Sequence, residues 1–375
     1  MSAPSKILVA SGHTGGHFFP AVCFAEAYQE KYSDSEIWFL LARHSASFDV
    51  ERYLWRYHAQ TIPLRSLPGG FSLKLIFFLI HYVHHFFLTL VWMAKLKPSV
   101  VVSFGSYSTL AAVLAAWVCR VPIVVHEQNR ISGWTNRMAA FFARHVATSF
   151  PETLGCLPSE KVTHVGYPIR PSLRAAACSN DRAHSGKRCS VLVLGGSQGS
   201  EALNRISLDF FSSLSSEEKE RFAVIHITGE KQYEAVRARY LNLNVNHQVF
   251  AFTGEIENVY SRADLVIARA GAGTIFELAV FGIPSVLIPY PFAYAHQSKN
   301  AEVAAEAGGA VVIEEKELTA AKFSDAVMDL ARDPERRQRM GQALKRLDCP
   351  NAGPSLAALA HDALDCKNSG FGTQP

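Results

Sequence analysis

Residues 268 to 301, ARAGAGTIFELAVFGIPSVLIPYPFAYAHQSKNA, hold the densest set of groups suited to binding chemistry. The strand-like run DLVIAR delivers its carboxyl end into Gly271-Ala272-Gly273, and a helical pattern opens near Thr274. Backbone N–H groups and the positive end of a helix then meet at one spot, which suits an anion. Glu277 stands one turn into that helix. A carboxylate there can cap its own helix, and it can equally accept hydrogen bonds from two vicinal ribose hydroxyls. His296, Gln297 and Asn300 follow the next strand by one short loop and reach the same rim.

Two more glycine turns connect a strand to a helix: Gly12 to His17 in KILVASGHTGGHFFPA and Gly195 to Gly199 in SVLVLGGSQGSEALN. Neither matches G-x-G-x-x-G or G-x-x-x-x-G-K-[ST], which argues against nicotinamide dehydrogenases and P-loop ATPases. Glycine in such a turn also serves close packing, but its recurrence at the head of two like segments favours phosphate binding. His17 closes the first turn and titrates near neutrality, so it is either a base for a hydroxyl substrate or a packing residue of its helix.

The elements that must position these groups alternate strand and helix throughout, the pattern of parallel sheets wrapped by helices. Strands are expected at 6–10, 36–41, 60–64, 99–104, 122–127 and 145–150, and again at 190–196, 222–229, 247–254, 264–269, 284–290 and 309–315. A chain of 375 residues that is 49% hydrophobic can fill two cores. The expected organisation is a first domain over 1–169, a linker over 170–189 that lacks apolar periodicity, and a second domain over 190–348. A last helix, 351–367, follows a Pro/Gly break and is free to pack back on the first domain.

Charge divides unevenly, with 15 Lys/Arg against 9 Asp/Glu in residues 1–170 and 22 against 24 in the rest. A basic first half suits an anionic membrane or a phosphate-bearing substrate, and without Lys/Arg clusters nucleic acid is not expected. The seven cysteines are odd in number and contain no C-x-x-C pair, as for reduced thiols in the cytosol. The segment MSAPSKILVASG shows none of the features of a signal peptide. Phe71 to Met93 is long and apolar enough to span a bilayer but carries Lys74, His81, His84 and His85. The expectation is a helix with one face in the core and one on a membrane surface, where Phe77, Phe78, Phe86, Phe87, Leu90 and Trp92 meet lipid and Lys74, Lys95 and Lys97 meet anionic headgroups.

Seven ordered blocks resemble the MurG family of GT-B glycosyltransferases (family 28): SGHTGGHFFPA, SFGSYST, HEQN, GYPIR, GGSQGS, RAGAGTIFEL and HQSKNA, between residues 11 and 301. The resemblance implies a GT-B fold, two Rossmann-like doubly wound parallel-sheet domains facing across a cleft. It implies inverting transfer of N-acetylglucosamine from UDP-N-acetylglucosamine to the 4-hydroxyl of N-acetylmuramyl-pentapeptide-diphosphoryl-undecaprenol (lipid I) in peptidoglycan synthesis. It also implies peripheral attachment through residues 71–97 to the cytoplasmic face of a bacterial membrane, and contact with cell-wall synthesis proteins. No cofactor is implied.

Carried over by position, the family pattern implies donor contacts at Thr14, Gly15, Gly16, Asn129, Arg170, Ser197, Ala272, Gly273, Thr274, Glu277 and Gln297, and a substrate contact at Thr253. In it Glu277 holds the ribose, Gln297 the sugar, and Ser197 with the glycine loops the diphosphate. The resemblance favours His17 as catalytic base, with Glu127, beside His126, as the alternative. No D-x-D pair resembles the metal site of other transferases, so helix ends and Arg170 are expected to meet the diphosphate charge. The chain departs from the family at Ser11, His13, Ser106, Tyr167 and Ser200. Tyr167 replaces an asparagine and is expected to add bulk beside Arg170. The alternatives are another GT-B lipid glycosyltransferase, a UDP-sugar 2-epimerase, or a binding module without activity.

Overall fold

A computed structural model describes residues 4–12, 14–42, 50–62, 73–179, 188–196, 199–291 and 296–368. The chain forms two compact units, Met1–Pro168 with Cys349–Pro375, and Ile169–Asp348. Both are built on wholly parallel sheets.

In the first unit the strands are β1 (Lys6–Ser11), β2 (Glu36–Ala42), β3 (His58–Ile62), β4 (Val100–Ser103), β5 (Ile123–Glu127), β6 (His145–Thr148) and β7 (Val162–His164). Their spatial order is β3-β2-β1-β4-β5-β6-β7. The chain winds outward one way from β1 and the other way from β4, so these two adjacent strands mark the point where the winding reverses. Ligands of open α/β sheets bind outside the carboxyl ends of such a pair. β3 begins two residues ahead of the expected run, whose last two positions lie outside the described residues. β7 was not expected, because VTH is short and mostly exposed and leaves no apolar run to read.

Side chains of β1 alternate between two cores, as a strand covered on both faces requires. Ile7 and Val9 join Phe18, Phe24 and Tyr28 of helix Gly15–Lys31. Leu8 and Ala10 join Met93, Ala112 and Ala139 from three helices on the other face. Leu356, Ala357, Ala360 and Ala363 of helix Ala352–Asn368 enter the first of these cores, so the end of the chain is part of the first unit. Gly353 lets the two helices close up, since a Cβ there would meet the Cβ of Ala27 at 3.1 Å.

The second unit contains β8 (Cys189–Leu194), β9 (Phe222–Ile227), β10 (Asn246–Phe250), β11 (Leu265–Ala268), β12 (Ser285–Leu287) and β13 (Ala310–Val312). Their order is β10-β9-β8-β11-β12-β13, which puts the reversal between β8 and β11. Residues 171–178 of the expected linker form a helix, Pro171–Cys178, with Leu173 fully buried. Arg174 forks onto Asp348 with bonds of 3.0 and 2.9 Å. One buried leucine leaves no periodicity in the sequence, and the ion partner is remote in the chain.

The apolar segment is a helix, Leu73–Leu96, packed beside helix Leu110–Val118. Phe78, His85, Thr89, Met93 and Leu96 are buried at helical spacing and form a single inward stripe. Phe78 is therefore core, not a lipid-facing residue, and Phe86, Leu90 and Trp92 pack half-buried against the same core. The outward face is mostly aliphatic: Ile76, Leu79, Ile80, Val83, Leu88 and Val91 are more than half exposed, together with Phe77 and Phe87. The side chain of Lys74 lies outside the described residues.

Candidate active site

The carboxyl end of β1 runs into Gly12, and helix Gly15–Lys31 begins after Thr14 with no side-chain cap and no acidic residue in its first turn. A Cβ added at Gly16 would meet nothing within 4 Å, so a ligand can approach that backbone closely. These are the features of an anion site, at the point where the winding reverses.

His17 Nδ1 lies 2.7 Å from the carbonyl oxygen of Phe104, at the end of β4. A carbonyl oxygen cannot donate, so Nδ1 carries the proton and the neutral ring keeps its basic lone pair on Nε2. The same carbonyl accepts from Gln128 Nε2 at 2.8 Å. His126 is fully buried, and burial pushes its imidazole down to about 4, against a weaker upward pull from the Gly166 carbonyl. It stays neutral at working pH and helps hold Gln128, whose Nε2 is 3.2 Å from His126 Nδ1.

Glu127 is buried at the end of β5, and its oxygens are occupied by its own loop. Oε1 accepts from the Asn129 amide at 2.9 Å and the Asn129 side chain at 3.3 Å. Oε2 accepts from the Gly133 amide and the Asn136 side chain, each at 2.9 Å. This carboxylate organises the turn after β5, and it brings Asn129 alongside it.

In the second unit the two loops at the reversal differ. Gly199 must be glycine, because its φ is +76° and a Cβ would lie 2.3 Å from the Thr228 carbonyl. Gly196, also at positive φ, faces open space. The following helix, Glu201–Ser213, is capped by Ser200 Oγ and has an acidic residue in its first turn. Ser197 lies outside the described residues. Helix Ala272–Phe281, after β11, has no side-chain cap and no acidic first turn, so the amides of Ala272, Gly273 and Thr274 form the better anion site.

Glu277 is one turn along that helix, with its side chain 17% exposed. Tyr260 donates to Oε2 at 2.9 Å, and Arg170 Nη2 is 3.5 Å from Oε1. Burial raises the carboxyl above its ordinary value, while Arg170 and then Tyr260 hold it down. Gln297 Oε1 accepts from the amides of Ala270 at 3.1 Å and Tyr290 at 3.0 Å, and Asn300 donates to the Ala270 carbonyl at 3.3 Å. Gln297 and Asn300 thus clamp peptide 270 from both sides, and the amide of Gln297 remains to donate outward.

Arg269, just before the glycine turn, braces both loops: Nε donates to Ser200 Oγ at 3.1 Å, Nη1 donates to the carbonyls of Ile288 and Pro289, and the guanidinium forms an ion pair with Glu315. The structure therefore gathers Arg170, Ala272 to Thr274, Glu277 and Gln297 around one loop. Thr253 stands apart on the loop after edge strand β10, where its hydroxyl accepts from the Glu255 amide at 3.1 Å. Sequence reading missed Tyr260 and Arg269. The position of Arg269 directly before a glycine turn was a usable signal, whereas nothing in the sequence marks Tyr260.

Residues 7–148 match the model of the glycosyltransferase family 28 N-terminal domain, and residues 190–352 that of its C-terminal domain. The chain belongs to glycosyltransferase family 28. It is 35% identical, over 96% of its length and 97% of the relative's, to a Desulfotalea psychrophila protein named UDP-N-acetylglucosamine--N-acetylmuramyl-(pentapeptide) pyrophosphoryl-undecaprenol N-acetylglucosamine transferase. A Myxococcus xanthus protein of the same name is 34% identical over 96% of this chain and 93% of its own. The crystal structure of Acinetobacter baumannii MurG aligns with a TM-score of 0.75 at 26% identity, covering 96% of this chain and 100% of that one. A putative UDP-N-acetylglucosamine 2-epimerase from Listeria monocytogenes, at 12% identity and TM-score 0.69, shares the fold alone.

Within family 28, four of the five departures of this chain fall on described residues. Ser200 caps its helix and anchors Arg269. Tyr167 is buried in the first unit, where its hydroxyl makes a long contact of 3.4 Å to the Gly16 carbonyl and its ring lies near His126. It braces the turn that carries His17. Ser11 is buried, its hydroxyl on the Gly12 carbonyl, and His13 lies outside the described residues. Ser106 adopts φ 82° and ψ 145°, a region that is nearly glycine's alone and costs a side chain about 1–3 kcal/mol.

Proposed function

We propose that this enzyme transfers N-acetylglucosamine from UDP-N-acetylglucosamine to the 4-hydroxyl of N-acetylmuramyl-pentapeptide on diphosphoryl-undecaprenol. The observation that carries the reading is the fixed tautomer of His17, a poised base at an uncapped helix start, in a chain that matches transferases of that name from end to end. In the reaction the acceptor oxygen bonds to the anomeric carbon, the bond from that carbon to UDP breaks, and the hydroxyl proton passes to His17 Nε2. Attack from the face opposite the leaving group turns an α-linked donor into a β-linked product.

The second unit holds the donor. Glu277 accepts the two ribose hydroxyls, the amides at Ala272 to Thr274, the loop at Gly196 and the hydroxyl of Ser197 meet the diphosphate, and Gln297 donates to the sugar. The first unit holds the acceptor, with Thr14, Gly15 and Gly16 offering amides and Asn129 fixed by Glu127. His17 is favoured over Glu127 as the base, because the oxygens of Glu127 already accept four hydrogen bonds.

The same unit docks on the cytoplasmic face of the membrane. The outward face of helix Leu73–Leu96 continues through exposed Trp117 and Val118 to Trp134, Met138 and Phe141 on the neighbouring helices. Exposed Lys95, Lys97, Arg120 and Arg144 supply cations for anionic headgroups, each worth about 1 kcal/mol.

The test is incorporation of label from UDP-N-acetylglucosamine into a short-chain lipid I analogue, by the wild type and by His17→Ala. Loss of a general base lowers kcat by about 10²-fold or more with donor KM unchanged. Near-normal turnover of His17→Ala would remove His17 from the reaction, and no transfer by the wild type would remove the activity.

A further inference from the structure

Four non-glycine residues have positive φ among the described residues: Lys97, Arg120 and Asn244 at 51–55°, and Ser106 at 82°. The first three values are ordinary for left-handed turns, but Ser106, with ψ at 145°, holds a conformation that a side chain resists. The loop after β4 fixes it there. Ser103 Oγ donates to Thr109 Oγ1 at 3.0 Å, and the Ser106 carbonyl accepts from both the Thr109 hydroxyl and the Thr109 amide at 3.0 Å.

This conformation carries the side chain toward the end of β1. A Cβ built on Gly12 would lie 2.8 Å from Ser106 Cβ, 3.2 Å from Ser106 Oγ and 3.3 Å from His17 Cδ2. The hydroxyl of Ser106 and the ring edge that leads to His17 Nε2 therefore flank one point above Gly12, where β1 and β4 diverge. Ser108 Oγ donates to Ser106 Oγ at 3.2 Å, so the proton of Ser106 is directed to another acceptor. Ser106 is half-buried, unlike Ser103, Ser108 and Thr109 around it, which are buried.

We propose that Ser106 is a substrate-contact residue, its hydroxyl donating to an oxygen of the acceptor beside the hydroxyl that His17 deprotonates. The inference rests on His17 being the base. It gives the strained serine a task that glycine, the family residue at this position, cannot perform. The bound oxygen completes the chain of donors from Ser108, and it orients the acceptor so that its reacting hydroxyl faces Nε2.

Steady-state kinetics on Ser106→Gly and Ser106→Ala, with His17→Ala alongside, tests this on the full chain. Glycine relieves the backbone and alanine retains it, so Ser106→Gly melts at or above the wild-type temperature. Both variants lose the hydroxyl, and acceptor KM is expected to rise about three- to tenfold in each, as for a neutral hydrogen bond, with donor KM unchanged. Wild-type acceptor KM in a folded Ser106→Gly, with His17→Ala inactive, would overturn the role of Ser106 and leave the base in place. Normal turnover by His17→Ala would instead overturn the reading on which the proposal stands.

Discussion

Tyr260→Phe isolates one hydrogen bond at the proposed donor site. The ring is fully buried and packs 5.4 Å from that of Phe281, so phenylalanine fills the same space and leaves no cavity of consequence. What disappears is the bond of 2.9 Å from the hydroxyl to Glu277 Oε2. A hydrogen bond to a charged group is worth about 1.5–3 kcal/mol. On the proposed reading Glu277 binds ribose as a carboxylate, and Tyr260 is one of the groups that keep it charged, after Arg170. If the whole bond is spent on that task, affinity for UDP-N-acetylglucosamine falls by about tenfold to a hundredfold.

The effect depends on pH in a defined direction. The Glu277 carboxyl is raised by burial, so the charged form, and with it donor binding, is lost as pH falls through the raised value. Without Tyr260 the carboxyl rises further, and the variant loses donor affinity at a higher pH than the wild type. Calorimetric titration of UDP-N-acetylglucosamine at pH 8 and pH 6 measures both effects. Equal affinities for variant and wild type at both values would refute the reasoning and leave Tyr260 a core residue only.

Two further outcomes follow from burial. His126 has its imidazole lowered to about 4 by burial, from an ordinary 6.5, so the unfolded chain takes up its proton first as pH falls. The stability this neutral histidine supports is complete above pH 6.5 and declines toward pH 4, by about 2 kcal/mol at pH 5. His226, lowered to about 3 by burial in the second unit, acts with the same sign. Thermal melts should show both units weakening between pH 7 and pH 5, and a constant melting temperature over that range would contradict it. At the membrane, Phe77→Ser with Ile80→Ser removes two side chains that are 59% and 60% exposed, each worth about 1.5–3 kcal/mol when buried in lipid. Sedimentation with anionic liposomes should drop at least tenfold while turnover of a short-chain acceptor persists, and unchanged liposome binding by the folded variant would place the docking face elsewhere.

Much of the architecture is local in origin and was legible in the chain. The β-branched runs of KILVA, SVLVL and DLVIA must be strands covered on both faces, and the glycine turns after them must open helices. The length of the apolar run over residues 73–96 indicated a helix there, because 24 residues without Gly or Pro exceed an ordinary strand. The ordered blocks from residue 11 to residue 301 indicated family 28, which the domain matches established.

Other features depend on which strands become neighbours, and sequence spacing carries no record of that. His17 acquires its tautomer from a carbonyl 87 residues away because β1 and β4 lie side by side. Glu277 acquires its partner from a tyrosine 17 residues earlier, on a helix that reads as ordinary core. Which face of helix Leu73–Leu96 turned inward was set by its packing against the sheet and the next helix, and so Phe78 went to the core while Ile80 stayed outside. The linker became a helix for the same reason, through a buried leucine and an ion pair to Asp348 that no local pattern encodes. Local propensity and periodicity selected the elements and the chemistry at their ends. Long-range packing and hydrogen bonding decided the protonation, strain and orientation of the side chains that use it.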